Sequence, residues 1–116
     1  MRVIIESPFA GGWQNVLYSR QCVLDSLSRG ESPYASHLLY TQKGMLDDRV
    51  PEQRKLGIAA ANGWLEVADL VAVYCDRGIT TGMLIGVIKG ASLGKSFALR
   101  WIQSNQREIR INDESD

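Results

Sequence analysis

The sequence predicts a single α/β domain built on an open, Rossmann-like parallel sheet flanked by helices. Three observations point there. Leu70 to Cys75 is an unbroken apolar run rich in β-branched residues, bounded by Asp69 and Asp76-Arg77-Gly78, as expected of a strand covered on both faces. A Gly-containing turn and a helical pattern follow it, ending near Gly94. Strand-like and helix-like stretches then alternate along the chain as βαβαβαβ, the order that gives a parallel sheet with helices on both faces.

Each element has its own signal. Val3-Ile4-Ile5 reads as the first strand, left through a Glu6 to Gly12 loop whose Pro and Gly pair make a sharp departure. A helix follows, with Asn15 as its cap and Val16, Leu17, Val23, Leu24 and Leu27 as its buried face. Gly30-Glu31-Ser32-Pro33 ends it, and Ala35 to Tyr40 reads as the second strand or a strand plus turn. Thr41 to Val50 has no periodicity and is a loop. Pro51 suits the first position of a helix that runs to about Ala68 and buries Leu56, Ala60, Trp64 and Val67. After the central strand, Thr80 or Thr81 caps a helix burying Leu84, Val87, Ile88 and Ala91. Phe97 to Ile102 is the last core strand, and the Ile109/Ile111 alternation predicts an added edge strand. The domain is expected to span residues 1–111, with 112–116 a disordered tail.

Composition narrows the function classes. In 116 residues, 13 Lys+Arg balance 13 Asp+Glu, which argues against a broad nucleic-acid surface. Cys22, Cys75 and the single His37 form no metal motif, so reduced thiols, no metal and no cofactor are expected. The N-terminus lacks a signal-peptide pattern and no stretch reaches the ~20 apolar residues of a membrane span, so a cytoplasmic protein is expected.

In open α/β sheets, ligands bind outside the carboxyl ends of the strands. That rule selects two loops. The first supplies Ser7, Pro8, Phe9, Gly11 and Gly12, where the Gly pair lets backbone approach a ligand closely. The second supplies Asp76, Gly78, Thr80, Thr81, Gly82 and Met83, where free N–H groups of a helix start attract an anion. Arg20 and Arg77, with Arg49, are the candidate phosphate contacts. Glu6 is a further carboxylate at this edge. His37 reads as hydrogen-bonded structure, and Asp47 and Asp48 as solvated loop residues.

The segments VIIESPFAGG, SPYASHLLY, LDDRVPEQRKLGIAAANGW, WLEVADLVAVYCDRG and GASLGKSFALRW, taken in order, resemble the nucleoside 2-deoxyribosyltransferase-like superfamily. They are most similar to its small phage and bacterial domains. The resemblance implies a deoxyribosyltransferase-like fold, a homo-oligomer and a nucleotide-type small-molecule ligand. It also implies a catalytic carboxylate on the helix after the Asp-containing strand. In the Asp-x-Gly-Thr-x-x-Glu arrangement that position is Gly82, and in Ser-x-Gly-Ala-x-x-Glu it is Gly86. No Asp or Glu occurs from Arg77 to Lys95. Glycoside chemistry through a covalent intermediate needs such a carboxylate. The expectation is therefore a non-catalytic binder of a nucleotide or ADP-ribose-type molecule. In a phage, within the host cytoplasm, it would sequester a nucleotide-derived immune signal. The alternative is a deoxyribosyltransferase or nucleoside/nucleotide N-glycosidase with a relocated carboxylate, Glu6, Asp76 or Asp48.

Overall fold

The computed structural model describes residues 1–111; the predicted tail at 112–116 lies outside the described residues. The elements are β1 (Arg2–Glu6), α1 (Trp13–Ser28), β2 (Ser32–Tyr34), α2 (Ser36–Tyr40), α3 (Pro51–Val67), β3 (Leu70–Tyr74), α4 (Thr81–Ser92), β4 (Ser96–Trp101) and β5 (Arg107–Ile111). One sheet carries the strands in the order β2-β1-β3-β4-β5. Its first four strands are parallel, and β5 closes the edge antiparallel to β4. No helix among the described residues is long and apolar enough to cross a membrane.

Strand alternation splits the core in two. Val3, Ile5, Leu70, Ala72, Tyr74 and Ala98 face α1, packing with Tyr18 and Cys22. On the other side, Val71, Val73, Ile4, Phe97 and Leu99 meet Leu65, Met83 and Val87 of α3 and α4. β3 is buried at every residue, as a central parallel strand must be.

Several local expectations change. The second strand is Ser32–Tyr34, and the predicted strand at 35–40 is mostly the short helix α2. Its turn sets Tyr40 within 6.1 Å of Tyr34, which also lies 5.1 Å from Trp64, so aromatic packing decides the conformation. Asn15 sits inside α1, not at its cap: Gly12 holds that position at φ +107°, and the Asn15 amide donates to the Ala10 carbonyl at 2.6 Å. Thr80 does cap α4, its hydroxyl accepting from the Met83 N–H at 3.2 Å.

The buried helix faces also differ. α1 turns Tyr18, Ser19, Cys22 and Ser26 inward, while Leu17, Leu24 and Leu27 stand exposed. Ser and Tyr tolerate this burial because each has a partner: Ser19 meets Ser7 at 2.6 Å and Ser26 donates to Glu31 at 2.7 Å. Leu56, Trp64 and Val67 of α3 and Leu84 and Ile88 of α4 are likewise exposed, and Met83 takes the inner position of α4.

Candidate functional site

A cavity of about 190 Å³ opens on the α3/α4 face of the sheet, beside the carboxyl end of β1. Ile4 and Glu6 of β1 contribute to its floor, and Gly82, Ile85, Gly86 and Lys89 of α4 form one wall. Gln53, Arg54, Gly57, Ala61 and Asn62 of α3 form another, while Tyr34, His37, Tyr40 and the loop residue Asp48 complete it.

Alternation explains how the carboxylates are sorted. Glu6 follows Ile4 by two and so points to the α3/α4 face; Asp76 follows Tyr74 by two and points to α1. A Cβ on Gly86 would stand 2.3 Å from Glu6 Oε2, so the Glu6 carboxyl occupies space that only glycine leaves free. Burial raises the Glu6 pKa to about 8, against the attraction of Lys89, and no hydrogen bond among the described residues offsets the lost hydration. Among the described residues the Glu6 carboxyl has no hydrogen-bond partner, and it faces the cavity. The Tyr34 hydroxyl is also buried, close to Tyr40 but without a well-formed hydrogen bond.

Asp76 has another task. Its carboxylate accepts from the Tyr18 hydroxyl at 2.7 Å, from the Ile102 N–H at 3.0 Å and from the Gln103 N–H at 2.9 Å. Burial alone would raise its pKa, but these donors outweigh it and hold the carboxyl below its ordinary value. It ties α1 and the end of β4 to the β3 turn. Asp76→Ala is expected to cost roughly 2–3 kcal/mol, since three donors lose a charged acceptor. Ligand affinity should change less than threefold, checked by denaturant unfolding beside calorimetric titration. A large affinity loss in folded variant would return Asp76 to the site.

The other predicted residues divide in the same way. Gly82 lines the cavity. Ser7 is bound to Ser19, and the Pro8 carbonyl accepts from the same hydroxyl at 3.4 Å. Phe9 stacks on His37 at 4.9 Å and so supports a cavity wall. Gly11 and Gly12 serve the turn into α1, Met83 serves the core, and Thr80 is spent on its cap. Gly78 and Thr81 are exposed outside the cavity lining. Arg77 donates to Asn15 at 2.7 Å, Arg49 pairs with Asp47 at 3.1 Å, and Arg20 is exposed on α1. The cations at the cavity are instead Arg54 and Lys89.

Arg54, Asn62 and Lys89 are not singled out in the sequence reading, where Asp48 is a candidate carboxylate and His37 a structural residue; the cavity brings all five together. A signal existed for α3: Gln53, Gly57 and Ala61 recur at four-residue spacing, as do Arg54 and Asn62 at twice that interval. Gly57 and Ala61, small residues with polar neighbours on one helix stripe, leave room for the cavity along α3. No cluster of metal-ligating residues occurs among the described residues.

Strand order, the switch between β1 and β3, and a cavity at the carboxyl edge define an open α/β class. Among solved structures that share this fold is a 2-deoxyribosyltransferase from Bacillus psychrosaccharolyticus, with TM-score 0.72 and 15% identity over 90% of this chain and 75% of that one. A CMP N-glycosidase from Clostridium botulinum has TM-score 0.51 and 14% identity over 90% and 72% of the two chains. A 2-deoxyribosyltransferase from Leishmania mexicana has TM-score 0.57 and 13% identity over 90% and 66%. The fold is deoxyribosyltransferase-like. The chain belongs to the family described as a domain of unknown function (DUF7768), which matches residues 1–100. No curated protein matches it.

Proposed function

We propose that this protein binds a nucleoside or nucleotide in the cavity and cleaves its N-glycosidic bond, with Glu6 as the carboxyl group acting at that bond. The observation carrying this reading is Glu6 standing in the volume that Gly86 leaves empty. By the resemblance, Gly86 is one of the two positions where a catalytic carboxylate is expected, so β1 supplies from the floor what α4 lacks. The activities named for the structural neighbours, deoxyribosyl transfer and CMP N-glycosidase, support the choice of bond. A cavity of this size encloses a sugar or a base ring and leaves the rest of a larger ligand in the mouth, near Arg54. The test is chromatography of common nucleosides and their 5′-monophosphates incubated with the protein. Release of free base is expected, and intact substrate after stoichiometric incubation rejects cleavage.

A second reading, retention without turnover, is favoured by the lack of any carboxylate on α4 and by the protonation of Glu6 near neutral pH. The ligand is then a nucleotide or ADP-ribose-type molecule, sequestered as an immune signal if the chain is phage-encoded. Melting with nucleotides, cyclic nucleotides and cyclic ADP-ribose isomers separates the readings. A ligand at a hundredfold its Kd stabilises by about 2.7 kcal/mol, here with no product formed. The exposed Leu17, Leu24, Leu84 and Ile88 support a homo-oligomer, which native mass spectrometry would count.

Gly86→Ala separates site from scaffold. Alanine improves an interior helix position by up to ~1 kcal/mol over glycine, and only the end of the Glu6 side chain must move. Unchanged or raised Tm with at least a tenfold loss of ligand affinity or turnover is expected. Full retention of both would mean that Glu6 placement is irrelevant.

A further inference from the structure

The cavity contains a second acid–base group that the bond-cleaving reading does not use. His37, the chain's only histidine, lines the same cavity as Glu6 from α2. Its ring is fixed by stacking on Phe9 at an interplanar angle of 13°. The backbone carbonyl of His37 accepts from Thr41, whereas no side-chain hydrogen bond among the described residues occupies the ring nitrogens. Asp48, from the loop before α3, faces it as the nearby carboxylate, and Arg54 as the nearby cation. The remaining titratable groups around the cavity are Tyr34, Tyr40 and Lys89.

We propose that glycosidic cleavage here is a single displacement by water, in which Glu6 protonates the departing base and His37 takes the proton of the attacking water. This rests on the N-glycosidic reading above. The water oxygen forms a bond to the anomeric carbon while the carbon–nitrogen bond breaks. Its electron pair stays on the base nitrogen, which receives the Glu6 proton. The water proton goes to His37, where the Asp48 carboxylate favours the imidazolium. Free base and sugar leave, and exchange with solvent returns Glu6 to the acid and His37 to the neutral form. No covalent sugar–protein bond forms, and no second base can capture the sugar.

The protonation states fit these roles. Glu6, raised to about 8, holds its proton at neutral pH, whereas packing of the His37 ring against Phe9 and the cavity wall, in a residue otherwise exposed, pushes His37 below its usual value. Environments that drive two pKa values apart in this sense define an acid and a base. A double displacement would need Glu6 ionised.

The experiment uses the intact protein with cytidine and deoxyadenosine, and their 5′-monophosphates, each with and without an excess of a second free base. Products are read by chromatography and the first-formed sugar anomer by NMR. The expected result is free base plus inverted sugar, no exchanged nucleoside, and a bell-shaped rate profile with limbs below pH 6.5 and near pH 8. His37→Gln should lower kcat by ~10²–10⁴-fold with KM within a few-fold. Should that variant not fold, the anomer and exchange results on the unaltered protein decide. Exchanged nucleoside, a retained anomer, a sugar adduct on Glu6, or a folded His37→Gln with full kcat would overturn the single displacement and leave Glu6 catalysis standing. No cleavage of any of the four substrates would overturn the N-glycosidic reading itself.

Discussion

Glu6→Gln should remove turnover, by ~10²–10⁴-fold if the carboxyl acts as an acid, and at the same time stabilise the unliganded protein in mild alkali. Both effects have one origin. The carboxyl is largely withdrawn from water and accepts no hydrogen bond among the described residues, so ionising it in the folded state is costly, whereas in the unfolded chain it ionises freely at about 4.5. A folded pKa raised above the unfolded one means that the native state holds the extra proton. Its contribution is fully present below pH 4.5 and is lost as pH rises through about 8. Each tenfold change in that equilibrium is worth about 1.4 kcal/mol, so by pH 9 the wild-type protein gives up on the order of 3–5 kcal/mol that the glutamine variant keeps. Melting curves of the two proteins at pH 5, 7 and 9 should nearly coincide at the lowest value and then diverge. Parallel curves would mean that Glu6 ionises normally and has no raised acidity to offer.

Arg100→Met should be the most destabilising single change outside the apolar core. Arg100 is fully buried on the α1 face of β4. It donates to both oxygens of Glu31 at 2.8 and 2.6 Å, to Glu108 at 2.7 Å and to the Tyr74 hydroxyl at 3.1 Å. Tyr74 passes the chain on to Asp25 at 2.8 Å, and Arg29 joins Asp25 to Glu108. One guanidinium thus holds α1, the turn before β2, the central strand and the antiparallel edge strand together. Methionine fills the space but leaves Glu31, whose side chain is 7% exposed, without its main counter-charge. Removing one partner of a buried pair costs roughly 3–5 kcal/mol, on the order of 10–20 °C in Tm for a domain of this length. Changing Glu31→Gln in the same molecule should recover part of the loss, because no charge is then stranded. Burial would raise the Glu31 pKa, but Arg100 and Ser26 outweigh it and hold the carboxyl low. This contribution is therefore present above pH 4.5 and fades as the pH falls through the lower folded value. A loss below 1 kcal/mol for Arg100→Met would show the pair to be solvent-screened.

Local chemistry was legible in the sequence where a residue answers to its own backbone. Pro51 opens α3, Thr80 caps α4, and the all-apolar run of β3 is central and parallel. The helix faces were not legible in this way. Hydropathy selects Leu17, Leu24 and Leu27, yet α1 buries Tyr18, Ser19 and Ser26, whose partners Asp76, Ser7 and Glu31 come from other segments. A polar side chain becomes a good core residue only through a partner that hydropathy cannot see.

The missing carboxylate on α4 was plain from the sequence alone, because residue identity decides it. Which carboxyl faces the cavity was decided by tertiary structure. Glu6 and Asp76 leave neighbouring strands at the same edge, and the phase of each strand's alternation sends one to the cavity and the other to α1. That phase, and the room made at Gly86, arise only when β1 and α4 pack together.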